Sequence, residues 1–356
     1  MELRLISRNL SPTLFVVWIL CARPGAFPGD HLSLKSDRAS LMEDRYESWL
    51  ARYNRTYKSR AERLLRFQIY QANVLYVDFI NRLPLPFKLT DNGFADMTNV
   101  EFKATYLGFH RRTNRRTDME TNITDQTDGD MPASFDWRKE GAVTPVKDQG
   151  HRHAPSARLG SCWAFSAVAA VEGLNQIKTG KLVSLSEQEL MDCDVGKHNQ
   201  GCSGGEMDTA FSFIQRNGGI TSESDYPYRG RDGSCDAAML RSHAATISGY
   251  GDVPPNDERS LQAAVARQPI SVAIDAGGLE FQLYSRGIFT GICGYDLNHG
   301  VAAVGYGSEG SRNYWIVKNS WGRDWGEDGY VRMLKGAPDR RGVCGIAMDA
   351  SYPVKG

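Results

Sequence analysis

The segment VKDQGHRHAPSARLGSCWAFSAVAAVEG, from Val146 to Gly173, places a single cysteine, Cys162, at the start of a helix that we predict over Cys162–Lys178. A thiol at a helix N-terminus is favoured as the thiolate by the helix dipole and by unpaired backbone amides. The carboxyl-terminal half of the segment therefore predicts a nucleophile site. Its middle, HRHAPSARL, interrupts that pattern.

Composition limits the classes of partner. The chain has 356 residues, of which 41% are hydrophobic, enough for one large domain or two of moderate size. Its formal net charge is zero, which favours neither nucleic acid nor a membrane as a partner, and we expect a monomer. Arg4 and Arg8 precede the apolar run LFVVWILCA, the layout of a secretory signal peptide, so residues 1–26 are predicted to be removed.

Six cysteines follow this predicted signal peptide, and an oxidising compartment favours disulfides among them. All six can pair, or they can leave a reactive thiol, and the spacing alone does not fix the connectivity. Because neither a CxxC pair nor HExxH occurs, we predict no metal and no other cofactor.

The region before residue 110 is predicted to be helical, over about residues 41–109, with one helix from Ala61 to Asn81. The polar stretch over residues 110–130 reads as a protease-accessible linker. Asn54 and Asn122 begin N-x-T sequons, which predict glycosylation or occur by chance.

From Met131 the chain becomes rich in Gly, Trp, Tyr and apolar residues. Helices come first, one of them opened by a capping box of Ser186 and Glu189. Past Ser242 the runs ISVAID, GVAAVGYG, NYWIVKNSWG and GYVRML indicate strands. This order predicts an α+β fold with two subdomains and a cleft between them.

Two residues in the strand-rich half suit Cys162 chemically. His299, in DLNHGVAAVGYG, has a ring nitrogen that can take the thiol proton and later deliver it to a leaving amine. Asn319, in VKNSWG, can orient the other ring nitrogen. Each residue alone is more commonly structural, but their occurrence together predicts a catalytic set.

GSCWAF, NHGVAAVGYG and YWIVKNSWG in this order resemble the papain-like cysteine protease precursors, the plant enzymes most of all. The resemblance implies a helical left subdomain and an antiparallel, barrel-like right subdomain, preceded by a helical inhibitory pro-domain. It implies a pro-segment over residues 27–130 and a peptidase domain over 131–356. Pro-segment positions matching the family are Glu62, Arg66, Tyr70, Asn73, Val77, Asn81, Asn92, Phe94 and Asp96.

The same resemblance assigns roles. Cys162 is expected to be the nucleophile, His299 the base and acid, Asn319 the residue that orients His299, and Trp321 the shield of their hydrogen bond. Gln149 is expected to donate to the oxyanion together with the Cys162 backbone N–H.

Substrate contacts follow from the resemblance too. Gly204 and Gly205 are expected to hydrogen-bond the substrate backbone. The pocket for the residue second upstream of the cleaved bond is expected to comprise Met207, Ala273, Gly300 and Asp349. Asp349 either admits a basic side chain or is a solvated surface carboxylate. Expected partners are peptide and protein substrates, the chain's own pro-segment and cystatin-type inhibitors, in a vacuole or lysosome or outside the cell.

The chain departs from the family between Gln149 and Cys162. Family members separate these residues by six positions, whereas here the separation is thirteen, and the segment His151–Leu159 replaces a cysteine. The resemblance implies the pairs Cys193–Cys235 and Cys293–Cys344, which leaves Cys202 unpaired. Two hypotheses follow: an acid-activated cysteine endopeptidase, or an impaired homologue, either a binding or decoy protein or a mis-spliced gene product.

Overall fold

The structure is a computed structural model that describes residues 28–110, 131–150 and 159–356. The predicted signal peptide, the predicted linker beyond His110 with Asn122, and residues 151–158 of the insertion lie outside the described residues. The chain divides into two compact units, Met1–Thr56 and Tyr57–Gly356.

The first unit contains helix α1 (Pro28–Arg52). The rings of Tyr46 and Trp49 stack within it, with centroids 5.9 Å apart. The turn after the helix places Asn54 in the left-handed region, at φ 49°, a conformation that asparagine tolerates well. Asn54 is exposed there.

The second unit begins with the rest of the pro-segment: α2 (Arg60–Arg82), β1 (Phe87–Leu89) and α3 (Asn99–Tyr106). Helix α2 lies close to its predicted bounds. Arg66 pairs with Glu101 at 2.9 Å, and Asn73 Nδ2 donates to the carbonyls of Ala95 and Met97. The matched pro-segment positions therefore hold α2 against the segment that leads into α3.

Three helices follow in the peptidase region: α4 (Cys162–Thr179), α5 (Glu187–Cys193) and α6 (Met207–Asn217). Helix α4 ends at Gly180, whose φ of 73° favours glycine. The capping box predicted for α5 is only half formed. Ser186 Oγ accepts from the Glu189 N–H, but the Glu189 carboxylate binds Thr221 and Asn217 instead of returning to the helix start.

The remaining elements are β2 (Phe135–Asp136), β3 (Gly249–Asp252), α7 (Glu258–Val265), β4 (Ile270–Ile274), α8 (Leu279–Gln282), β5 (Tyr284–Phe289), β6 (His299–Glu309), β7 (Arg312–Lys318), β8 (Tyr330–Lys335) and β9 (Ala350–Val354). The described strands form one sheet in the order β1-β5-β8-β7-β6-β4-β9-β3, with β2 also paired to β6. All pairs are antiparallel except β5 with β8. The runs predicted as strands correspond to β4, β6, β7 and β8.

The pro-segment extends this sheet, which the sequence did not predict. Strand β1 pairs with β5, with Phe87 opposite Gly287. A β-carbon built on Gly287 would lie 2.3 Å from the Pro86 carbonyl oxygen, so this close approach requires glycine. Asn92 Nδ2 donates to the Gln282 carbonyl at 2.9 Å, which adds a second contact between the pro-segment and the peptidase region.

Helix α4 packs against the sheet and brings its N-terminus to the start of β6. Ser166 Oγ donates to the Val301 carbonyl at 2.7 Å, and Ser271 Oγ donates to the Ser166 carbonyl at 2.9 Å. The α+β prediction is confirmed. Over the described residues, the helices are all too short or too polar to cross a membrane.

Candidate active site

Cys162 lies at the first position of α4, beside the start of β6. Its Sγ accepts from the Gly300 N–H at 3.4 Å, and the side chain is fully buried. Ser161 precedes the helix, but its side chain accepts no capping hydrogen bond from the helix N–H groups. Burial raises the pKa of the Cys162 thiol, while the backbone N–H groups of Gly300 and Gly108 oppose that rise. Burial in this structure therefore favours the protonated thiol.

His299 and Asn319 form the predicted pair. His299 Nε2 lies 2.8 Å from Asn319 Oδ1, which also accepts from the Ser320 N–H. Because Oδ1 can only accept, Nε2 carries the proton and Nδ1 of the neutral ring is the acceptor. Among the described residues, Nδ1 has no hydrogen-bond partner. Burial lowers the His299 pKa to about 4, although the Asn319 hydrogen bond favours the charged ring.

Trp321 covers this hydrogen bond. Its ring stacks on the His299 ring, with centroids 4.6 Å apart and an interplanar angle of 23°. Three pro-segment rings meet Trp321 edge-on, with centroid distances of 5.1 to 6.5 Å. The pro-segment therefore docks on the aromatic cover of the site, through Phe94, Phe102 and Tyr106.

Gln149 reaches the site despite the long spacing to Cys162. Ser320 Oγ donates to Gln149 Oε1 at 2.6 Å. Gln149 Nε2 donates to the Tyr106 carbonyl at 3.0 Å and also to the Leu159 carbonyl. A β-carbon built on Gly150 would lie 2.9 Å from Leu159 Cδ1. The described residues on the two sides of the insertion are thus in contact, and Gln149 stays in place.

The pro-segment backbone crosses the site beside Gly205. Gly205 N–H donates to the Gly108 carbonyl at 2.8 Å, and His110 N–H donates to the Gly205 carbonyl at 2.9 Å. Phe109 N–H donates to the Asn298 carbonyl at 3.0 Å. The backbone edge expected to bind substrate is therefore occupied by the chain's own pro-segment.

Gly108 is where this backbone comes nearest to the residues that precede Cys162. A β-carbon built on Gly108 would lie 2.2 Å from the Gly160 carbonyl oxygen. A β-carbon on Gly204, whose φ is 119°, would lie 2.6 Å from the Gly108 carbonyl oxygen. Glycine is required on both sides of this approach.

The four residues expected to form the specificity pocket lie together. Ala273 pairs with Gly300 across β4 and β6, and its N–H donates to the Asp349 carbonyl at 2.9 Å. A β-carbon on Gly300 would lie 3.2 Å from Met207 Sδ. Phe109 belongs to the apolar cluster that contains Met207 and Ala273. Asp349 is buried, unlike a solvated surface carboxylate.

A set of buried charges lies behind Asn319, around a small cavity of about 20 Å³. Lys147 Nζ lies 3.0 Å from Glu172 and 2.7 Å from Glu187. Burial opposes the charge on Lys147, but both carboxylates hold its pKa above the usual value. Lys318, next to Asn319, donates to Thr144 at 2.8 Å. The Thr144 hydroxyl in turn donates to Glu172, so these contacts join the middle of α4 and the start of α5 to the end of β7.

The structure joins Cys193 to Cys235 and Cys293 to Cys344. Cys162 and Cys202 are free thiols, and both are buried. The Cys202 N–H donates to Asp232 Oδ1 at 2.6 Å. In the described part of the chain, His, Cys, Asp and Glu side chains do not gather into any group that can hold a metal ion.

Sequence reasoning missed several residues that contact the site, among them Ser320, Phe102, Tyr106, Gly108 and Phe109. Ser320 follows Asn319 directly, so its place beside Gln149 depends on the pairing of the two subdomains. The run TYLGFH contains a glycine between bulky residues, which is the one sequence signal of a close backbone approach.

Comparison with known proteins yields two family matches. Residues 131–354 match the model of the papain family cysteine proteases, and residues 46–102 match that of the cathepsin propeptide inhibitor domain (I29). Vignain of Vigna mungo is 53% identical, with 88% of this chain and 85% of vignain covered. The KDEL-tailed cysteine endopeptidase CEP2 of Arabidopsis thaliana is 50% identical, with 96% and 93% covered.

Solved structures give the same result. A recombinant stem bromelain precursor is 43% identical, with a TM-score of 0.79 and coverage of 88% of this chain and 99% of the other. The proform of Amb a 11, a cysteine protease and major ragweed pollen allergen, is 40% identical, with a TM-score of 0.80 and coverage of 88% and 86%.

Proposed function

Since the chain belongs to the papain family of cysteine proteases and is the precursor of a cysteine endopeptidase, we propose that Cys162, His299, Asn319 and Gln149 perform its reaction. The observation that carries this assignment is the His299–Asn319 hydrogen bond of 2.8 Å, which leaves Nδ1 without a partner among the described residues. The next residue, Gly300, donates its N–H to Cys162 Sγ, which brings the start of β6 to the thiol. We expect Cys162 and His299 to become an ion pair once the pro-segment leaves and water lowers the cost of charge.

The reaction then has two halves. The Cys162 thiolate attacks the scissile carbonyl carbon and forms an S–C bond, while the electron pair of the C=O π bond moves to the carbonyl oxygen. Gln149 Nε2 and the Cys162 N–H stabilise this oxyanion. As the carbonyl re-forms, the C–N bond breaks and His299 protonates the departing amine. Water, deprotonated by His299, attacks the acyl-enzyme; the acid product leaves and the thiolate is restored.

The pro-segment inhibits by occupying these positions. The Tyr106 carbonyl accepts the Gln149 N–H that we assign to the oxyanion, and the Gly108 carbonyl takes the Gly205 N–H that we assign to substrate. Burial under the pro-segment also keeps the thiol and the imidazole neutral. We propose that the mature enzyme begins near Met131 and that acid releases the residues before it.

The pocket indicates the substrate class. Phe109 of the pro-segment shares an apolar cluster with Met207 and Ala273, so a large apolar or aromatic side chain fits second upstream of the cleaved bond. We propose that Asp349 lets the same pocket accept a basic side chain. Of the two predicted glycosylation sites, Asn54 is the one that the structure describes, and it is exposed, as an N-linked glycan requires. The disulfides support a protein of the secretory pathway. We propose that the enzyme acts in a vacuole or lysosome or outside the cell.

No observation favours the impaired homologue. The described residues flanking the insertion, Gly150 and Leu159, meet at its base, and Gln149 keeps its contacts with Ser320 and Tyr106.

A kinetic experiment tests the assignment. Acid-matured protein should hydrolyse a peptide amide that carries phenylalanine second upstream of the cleaved bond. Cys162→Ser should abolish that activity, and Gln149→Ala should lower kcat by about 10²–10³. A folded mature chain without activity, or an active Cys162→Ser variant, would contradict it.

A further inference from the structure

Leu159 is the last residue of the segment His151–Leu159 and the one member of it that the structure describes, and its carbonyl contacts the amide that we assign to the oxyanion hole. The side-chain amide nitrogen of glutamine has two N–H donors. Gln149 Nε2 donates to the Leu159 carbonyl and to the Tyr106 carbonyl, while Ser320 holds Oε1. When Tyr106 leaves with the pro-segment, the N–H that faced it becomes available for substrate. Leu159 and Ser320 are then the remaining contacts that set the direction of this N–H.

The Leu159 side chain is itself held by packing. It is 2% exposed and lies against Gly150, which adjoins Gln149. The Leu159 N–H donates to the Thr105 carbonyl at 2.7 Å, a contact that also leaves with the pro-segment. Beyond it, the Gly160 N–H donates to the Cys202 carbonyl at 3.0 Å.

A covalent bond is expected at this place in related chains, because the resemblance puts a cysteine where Leu159 stands and pairs it with the residue corresponding to Cys202. Here Cys202 is a free, buried thiol. Leu159 therefore has to be fixed by its apolar contact and by the backbone of Gly160.

We propose that Leu159 is a positioning residue for catalysis: its packed side chain fixes the carbonyl that orients Gln149, in place of the missing disulfide. This proposal rests on the proposed function, since it assumes that Gln149 stabilises the oxyanion. It predicts that a smaller side chain at residue 159 weakens only the steps that use the oxyanion hole.

The test compares two reactions of the acid-matured enzyme. Peptide hydrolysis needs the oxyanion hole, whereas alkylation of Cys162 by iodoacetamide does not form an oxyanion. Since loss of a whole oxyanion donor costs about 10²–10³ in kcat, Leu159→Ala is expected to lower kcat on the order of tenfold, with iodoacetamide rates within about twofold of wild type. In a Gln149→Ala background, Leu159→Ala should cause no further loss.

Leu159→Val serves if the alanine variant does not fold, with the same pattern and a smaller loss expected. Leu261→Ala is the matched control, because Leu261 is fully buried in α7 away from Gln149 and should lower stability without lowering kcat. Three outcomes would overturn the proposal. They are an equal loss of hydrolysis and alkylation, a fully additive loss in the Gln149→Ala background, and an unchanged kcat in the folded Leu159 variants. Wild-type protein that is neither active nor alkylated would instead refute the proposed function.

Discussion

Replacing Leu159 with cysteine is expected to create a disulfide with Cys202. The two residues lie on adjacent segments, since the Gly160 N–H donates to the Cys202 carbonyl at 3.0 Å. Cys202 is free and only 6% exposed, so its thiol is available for a short internal bridge and little else. Burial raises its pKa to about 12, so the bond has to form during folding, before the thiol is enclosed.

The size of the stabilisation by this disulfide follows from the length of the loop that the bond closes. Residues 159 and 202 enclose a loop of roughly 43 residues, for which the chain-entropy relation gives about 4 kcal/mol of stabilisation at 25 °C. For a peptidase domain of roughly 226 residues, that free energy raises the melting temperature by about 8 °C. Loss of the leucine side chain opposes this gain, so the reference is Leu159→Ser, which has a similar volume to cysteine but cannot form the bond.

Two assays measure the effect. Thiol counting on denatured, unreduced precursor should find two free thiols in the wild-type chain after signal removal and one in Leu159→Cys. Thermal unfolding of the matured domain, with Cys162 blocked against autolysis, should show the rise relative to Leu159→Ser, and reductant should abolish it. Three free thiols in Leu159→Cys, or equal melting temperatures for the two variants, would refute the packing described around Leu159. Fewer than two free thiols in the wild-type chain would refute the cysteine pairing.

Three further predictions concern the site and its inhibition. Burial raises the pKa of the Glu101 carboxyl, but hydrogen bonds from Arg66 and Thr98 lower it by more, so the pKa in the folded protein lies below the ordinary value. The contribution of Glu101 to stability is therefore present above the ordinary pKa and is lost as the pH falls through the folded pKa. The precursor of Glu101→Gln should therefore mature at higher pH than wild type on a gel-based time course, and an identical pH midpoint would count against this role. Asn319→Ala removes a hydrogen bond that favours charged His299, so the alkaline limb of kcat/KM should move down by about one pH unit, and an unmoved limb would exclude that role. Asp349→Ala should lower cleavage of substrates with Arg second upstream of the cleaved bond relative to substrates with Leu there, and an unchanged ratio would end the proposal for Asp349.

Three of the residues that we propose as catalytic were predictable because each lies in a short local pattern. Cys162 begins a helix that its apolar sequence predicts. His299 and Asn319 lie at the ends of strands that their sequences also predict. The resemblance added Gln149, which composition alone does not distinguish. What the sequence could not supply was whether an insertion of seven residues would move Gln149, since that depends on where the chain returns at Leu159.

Long-range pairing explains the other gaps. Strand β1 has three residues and carries no periodic signal, yet it joins the sheet because Gly287 permits close approach. Glu189 was predicted to close a capping box, but Thr221 and Asn217, which are distant in sequence, supply better donors for its carboxylate. Conversely, the capping box formed by Thr98 and Glu101 was overlooked, although its sequence pattern was present.

Labelling by a thiol-reactive epoxide tests the central claim most directly, namely that Cys162 and its partners form a working site despite the insertion. Acid-matured protein should take up one equivalent of the epoxide. Peptide mapping should place it on Cys162, with Cys202 unmodified and hydrolysis lost in proportion to labelling. A folded mature chain that takes up no label at Cys162, or that keeps its activity when Cys162 is labelled, would contradict the account.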